Sequence, residues 1–176
     1  MSYYVIIRGP LGCGKSTVAE GLANRLGAKH YSVDKVLDEH GLTVDKEEGY
    51  ISQESFRKAN GIIAPGVIDM LNRGALVIFD GNFYWKSQIE DLIARLHHPH
   101  YAFTLKASLE ACVKRDGGRE KVYGADAVRA VYKKSTEFDY GAVIDTENKS
   151  AEATIEEILS YLPGRGKVRE VIREFD

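Results

Sequence analysis

Short unbroken runs of branched and aromatic residues alternate along this chain with longer stretches in which apolar positions recur at helical spacing. The runs YYVIIR (Tyr3–Arg8), KHYSVD (Lys29–Asp34), ALVIFD (Ala75–Asp80), HYAFTL (His100–Leu105) and GAVIDT (Gly141–Thr146) are strand-length and rich in β-formers, so each predicts a buried strand. After the first run, STVAEGLANRLG places Val18, Leu22 and Leu26 on one helical face, with Gly27 as its stop. Gln53–Arg73 predicts a long helix broken near Pro65. Trp85–Leu96, Ser108–Arg115, Ala125–Thr136 and Ala151–Leu162 predict four more helices, and GLTVDKEEGY (Gly41–Tyr50) a loop after a polar helical region. This alternation predicts a three-layer α/β fold, a five-stranded parallel sheet with helices on both faces. Ligands of such sheets collect beyond the carboxyl ends of the strands, which directs attention to Gly9–Thr17, Asp34, Asp80 and Asp145.

Between the first strand and its helix stands GPLGCGKST (Gly9–Thr17), with the spacing Gly9-x4-Gly14-Lys15-Ser16 of a phosphate-binding loop. Gly9 starts a tight turn, and Gly12 and Gly14 let bare backbone N–H groups converge on an anion. Pro10, Leu11 and Cys13 complete the loop; Lys15 brings a mobile charge to the outer phosphates, and Ser16 offers a hydroxyl to Mg2+. The following helix, from Thr17 onward, points its partly positive N-terminus at the same place. These features predict ATP and Mg2+ as ligands.

The chain has 176 residues, 44% hydrophobic and 28% charged, which predicts one domain with a sizeable core. A net charge of −2 gives no overall attraction to nucleic acid or anionic membrane. No run approaches transmembrane length, and Cys13 and Cys112 stand far apart, so reduced thiols and a cytoplasmic location are expected. His97, His98 and His100 lack an accompanying cysteine or carboxylate at ligand spacing and read as a helix-to-strand turn around Pro99.

Asp80 ends a strand expected beside the loop-bearing one, where a carboxylate holds Mg2+ or its waters; it is also suited to capping the turn Asp80-Gly81-Asn82. The backbone of Gly81 and Asn82 is expected to face an acceptor. Asp34 is placed to accept a hydroxyl proton across from the γ-phosphate, and equally suits capping a helix from Lys35. In CVKRDGGREKVYG, Arg115, Arg119 and Lys121 flank a glycine pair, which reads as a cationic lid (about residues 115–124) closing over the phosphates.

Taken together, GPLGCGKST, YSVD, FDGNF and R-D-G-G-R resemble the small phosphate-loop kinases. The chain is most similar to the branch of polynucleotide 5′-hydroxyl kinase, zeta toxin and chloramphenicol phosphotransferase, with shikimate and gluconate kinases more distant. The resemblance covers residues 3–162 in layout and implies a P-loop NTPase fold, with Asp34 as general base, Arg115 and Arg119 as lid cations, and adenine contacts from Asp145 and Thr146. The implied reaction is transfer from ATP to a hydroxyl-bearing acceptor.

A nucleoside monophosphate kinase shares the loop but needs several cations for its dianionic acceptor. Between Asp34 and Asp80 the only arginines are Arg57 and Arg73, and the same stretch holds five acids from Asp38 to Glu48. Arg57 is left to grip one anionic group of the acceptor. A nucleotide switch without a small-molecule acceptor would need neither Asp34 nor a lid. A nucleic-acid end is a less favoured acceptor, although Phe83, Tyr84 and Trp85 could stack bases. Residues 163–176 repeat Val168, Val171, Ile172 and Phe175 at helical spacing, which predicts an amphipathic tail helix docked on a monomer or joining a homodimer.

Overall fold

Tyr4–Arg8 (β1) is buried along its whole length because strands flank it on both sides. In the computed structural model, which describes residues 2–118 and 122–163, five parallel strands lie in the order β2, β5, β1, β6, β7. They are β2 (Lys29–Ser32), β5 (Val77–Gly81), β6 (His100–Lys106) and β7 (Ala142–Asp145), around β1. Helices α1 (Lys15–Leu26), α5 (Leu109–Gly117), α6 (Ala125–Ser135) and α7 (Ala151–Leu159) follow β1, β6 and β7. Helices α2 (Val33–Glu39), α3 (Gln53–Asn72) and α4 (Lys86–Leu96) follow β2 and β5. The strand period divides the core: Val5 and Ile7 pack with Val18, Leu22 and Ile155, while Tyr4 and Ile6 pack with Phe56, Val67 and Leu92. The expected three-layer α/β sandwich is the observed one.

Three local features differ from expectation. The helix at Pro65 is continuous over Gln53–Asn72. Pro65 is exposed, and residue i−4 is Gly61, while Phe56, Ala59, Ile63, Val67 and Leu71 are buried on both sides of the proline. Packing on either side holds the helix straight through the lost hydrogen bond. Second, the β2 run stops at Ser32, and Asp34 is the second residue of α2, whose N-cap is Ser32; Asp34 is neither a strand end nor a cap. Third, the loop Gly41–Tyr50 contains a small antiparallel hairpin, β3 (Lys46–Glu47) and β4 (Tyr50–Ile51). Its turn residues Glu48 and Gly49 have φ of 54° and 82°, the conformation of a two-residue hairpin turn usually marked by Asn-Gly.

Arg8 ends β1 with no exposure at all. Its guanidinium donates to the carbonyls of Phe83 (3.3 Å), Phe138 (2.8 Å) and Ser135 (2.7 Å) and to Thr104 Oγ1 (3.2 Å). It also lies 4.2 Å from the Phe138 ring centroid. Burial lowers its pKa to about 10, so it stays charged at neutral pH. One side chain thus joins β1 to the segment after β5, to β6 and to the α6–β7 connection, all at the carboxyl edge of the sheet. Replacing Arg8 with Met leaves those acceptors without a donor. We expect urea unfolding to report a loss of about 3 kcal/mol or more; a change below about 1 kcal/mol would mean that the four bonds are dispensable.

Candidate active site

The loop after β1 turns on glycines held at positive φ. Gly12 has φ +81°, and a Cβ there would lie 2.2 Å from the Cys112 carbonyl oxygen. Gly14, the N-cap of α1, has φ +95°, and a Cβ there would point into open space. Gly14 supplies no capping side chain and the first turn of α1 holds no acid, so its first N–H groups remain available to an anion. Lys15 is nearly buried and its Nζ donates to the Pro10 carbonyl at 2.7 Å, inside the loop it is meant to serve.

Asp80 reaches the loop through strand register, because β5 pairs with β1 so that Asp80 stands opposite Ile7. Its Oδ2 accepts a 2.8 Å bond from Ser16 Oγ, and its Oδ1 lies 2.6 Å from His30 Nε2. A hydroxyl and a carboxylate side by side at a phosphate loop are the hard oxygen donors that Mg2+ takes, so these two residues fit the ion. His30 orients the carboxylate from β2, two residues from the end of that strand. Nothing in the linear sequence marks His30; finding it requires knowing that β2 lies beside β5.

Asp34 is half-buried between two clefts. The smaller, about 250 Å³, is bounded by Lys15 and Ser16 on the loop side. The larger, about 330 Å³, runs under the β3–β4 hairpin past Asn82, Tyr84 and α6. Burial pushes the Asp34 carboxyl up to about 6; the Lys15 charge and the Asn82 N–H oppose that shift, while the Asp80 and Asp38 charges add to it. A carboxylate with this pKa, beside a phosphate loop and facing a separate cavity, is able to take a proton near neutral pH. Gly81 is buried at the end of β5, where a Cβ would press on Phe83 and Val33, and the Asn82 Oδ1 is buried without a hydrogen-bond partner.

On the other side of the loop, a cavity of about 180 Å³ is lined by Cys13, Gly14, Thr17, Arg115, Thr146 and Lys149, among others. Thr146 Oγ1 lies within 3.0 Å of the Cys13 carbonyl and 3.1 Å of that of Lys106, tying the segment after β7 to the loop. Arg115, expected as a lid cation, lines this cavity beside the loop, and its Nη2 donates to the carbonyls of Thr146 (2.7 Å) and Glu147 (3.1 Å). Asp145 accepts from the Glu147 N–H at 2.8 Å and shapes the same turn. Arg57 is not brought to the site; it is exposed on α3 beside Glu54, and neither cleft is lined by it. Arg119 and Lys121 lie outside the described residues, as does the tail from residue 164. His97, His98 and His100 serve the α4–β6 turn: His97 caps α4, the His98 ring bonds the Leu96 carbonyl, and His100 stacks on Tyr4.

The family model described as an AAA domain matches residues 5–138, from β1 to the end of the α6 region. The chain belongs to this AAA domain family. Within it, the chain is similar to a shikimate kinase of Legionella pneumophila (strain Corby), at 29% identity over 107 residues, 52% of this chain and 61% of that protein. The chain thus spans less than two thirds of the length of the curated relatives it matches. Among solved structures, a sugar kinase from Janibacter sp. HTCC2649 superposes with TM-score 0.74 at 18% identity, covering 92% of this chain and 94% of the other. A gluconokinase from Sinorhizobium meliloti 1021 superposes at 0.69 and 13% identity, over 89% of each chain. These likenesses show the phosphate-loop kinase fold for this AAA domain protein. Two of these, the shikimate kinase and the gluconokinase, are of the types that the sequence motifs set at the greater distance. Among the described residues, no helix is long and apolar enough to cross a membrane.

If Arg115 braces the base-side cavity, Arg115→Ala weakens ATP binding roughly tenfold, about 1.4 kcal/mol. Calorimetric titration with a non-hydrolysable ATP analogue measures this; an unchanged Kd with a slower turnover would return Arg115 to the transferring phosphate.

Proposed function

We propose that this protein is an ATP-dependent kinase that moves the γ-phosphoryl group of ATP to a hydroxyl of a small-molecule or nucleotide-type acceptor. The observation that carries this reading is the position of Asp34 at the wall shared by the loop-side cleft and the larger one. In this reading the triphosphate lies along Gly9–Thr17 with the base beside Arg115 and Thr146, and the acceptor fills the larger cleft. Ser16 and Asp80 would hold Mg2+, which supplies positive charge to the phosphates when bound. Asp34 accepts the acceptor's hydroxyl proton as that oxygen attacks the γ-phosphorus in line. The bond to the β-phosphate oxygen breaks, and ADP leaves with those electrons. Lys15 neutralises the outer phosphates, and the N–H groups of the loop and α1 hold them still. The kinase domain is assigned to residues 1–162, residues 115–124 to a lid that includes Arg119, and residues 163–176 to an accessory tail. The finer kinship with the polynucleotide kinase and chloramphenicol phosphotransferase branch rests on YSVD and FDGNF.

Asp34→Asn tests the reading, since it keeps size and the Asn82 N–H partner but loses the proton acceptor. Single-turnover transfer should fall roughly 10²–10⁴-fold with ATP affinity little changed. A near-normal transfer rate would remove the base and favour an acceptor that is already a phosphate.

A further inference from the structure

The larger cleft has an uneven chemistry that bears on what enters it, given the hydroxyl-kinase reading. Its charged lining residues are Asp34 and Asp38, one turn apart on α2, and Lys46 on β3. Among the described residues no arginine lines it. Lys15 and Lys35 line the adjoining loop-side cleft, and three further cations are engaged elsewhere. Lys134 is nearly buried, paired with Glu48 (2.9 Å) and Glu137 (3.1 Å), and lies 4.1 Å from the Trp85 ring centroid. Arg129 pairs with Asp126 at 3.0 Å, and Arg8 is turned inward onto carbonyls.

The polar lining is mixed: Asp34 and Asp38 bring carboxylate oxygens, and Lys46, Thr43 and Tyr123 bring N–H and O–H groups. Asp38 has no ion-pair partner among the described residues, and its charge adds to that felt by Asp34. An entering molecule satisfies the Asp38 oxygens by donating N–H or O–H groups. A carboxylate or phosphate brought here would meet two like charges on α2, with Lys46 the one lining cation among the described residues and no guanidinium fork to hold it. The rest of the wall is apolar or aromatic: Leu37, Ile51, Tyr50, Tyr84, Ala130 and Val131. Such a wall suits a ligand with one hydrocarbon or aromatic face.

We infer that the acceptor is an uncharged or ammonium-bearing hydroxyl compound with an apolar face, that Asp38 recognises its donor groups, and that carboxylated and phosphorylated acceptors are disfavoured. Asp38 is then the specificity-determining residue: it sits one helical turn beyond the base, where it reads the charge of the acceptor.

The test measures transfer of radiolabelled γ-phosphate to acceptor series that share a scaffold and differ in charge. The series are phenylethanolamine against mandelate, phenyl glucoside against phenyl glucuronide, and adenosine against adenosine monophosphate, with a total small-molecule extract as a further arm. In the series that accept phosphate, the neutral or ammonium member should show kcat/KM at least about tenfold above its anionic partner. Asp38→Lys, which is exposed and whose folding is checked by its melting temperature, should narrow that ratio by about tenfold or invert it, chiefly through KM. Equal or better use of the anionic member by the wild-type protein, or labelling of an anionic acceptor in the extract, overturns the acceptor class and leaves the kinase reading in place. An unchanged ratio in Asp38→Lys overturns the role of Asp38. If neither the series nor the extract takes up label although ATP binds, the hydroxyl-kinase reading falls and the acceptor class with it.

Discussion

The site depends on one strand register. Because β5 lies against β1 with Asp80 opposite Ile7, a buried carboxylate meets Ser16 at 2.8 Å, and the first turn of α1 is tied to the centre of the sheet. The loop between them then has its ends fixed, and its glycines take the turn that aims backbone N–H groups outward. The same carboxylate holds the His30 ring from β2 and adds its charge to that felt by Asp34. Shifting β5 by one residue would send Asp80 to the opposite face and undo all three relations.

Two further devices build the clefts around that centre. Arg8, immediately before the loop, binds three carbonyls and one hydroxyl from separate segments, so the carboxyl edge of the sheet is closed from within by a charge that makes no ion pair among the described residues. The β3–β4 hairpin spans from α2 toward α6, where Tyr50 Oη donates to the Ala130 carbonyl and Lys134 meets Glu48. It thereby roofs the larger cleft. Asp34 is kept ready at a cost. Its folded pKa, about 6, lies above the 3.8 of an unperturbed aspartate, so ionising it is harder in the folded protein. That penalty is absent below pH 3.8, grows as pH rises, and is complete above about 6, where a base must be ionised to work. On the proposed reading, stability is given up at neutral pH for a reactive carboxylate, as functional sites commonly do.

The fold and the loop were legible because their signals are local. Apolar runs, helical spacing and the glycine pattern each act over a few residues, and the observed strands start and stop within about two residues of their predicted ends. What the sequence hid depends on tertiary context. Asp34 looked like a strand end because Val33 continues a β-rich run; in the protein Val33 is buried as the first residue of α2. Pro65 marks a break that packing overrides. His30 and Asp38 acquire meaning only from the neighbours that the strand order and the helix turn give them. Arg57 shows the converse: its charge suggested a ligand, yet it stands at the surface beside Glu54. A cation's partners are set by where its helix places it, which spacing alone does not reveal.

The central claim is that Asp34 is held as a titratable base by burial and by the charge of Asp80. Its side-chain carboxyl carbon, labelled with ¹³C and followed by NMR across pH in the metal-free protein, reads this directly. The account predicts a midpoint near 6 that moves down when Asp80 is changed to Asn, because a like charge has been removed. A midpoint near that of a free aspartate, unmoved by the Asp80 substitution, would contradict it.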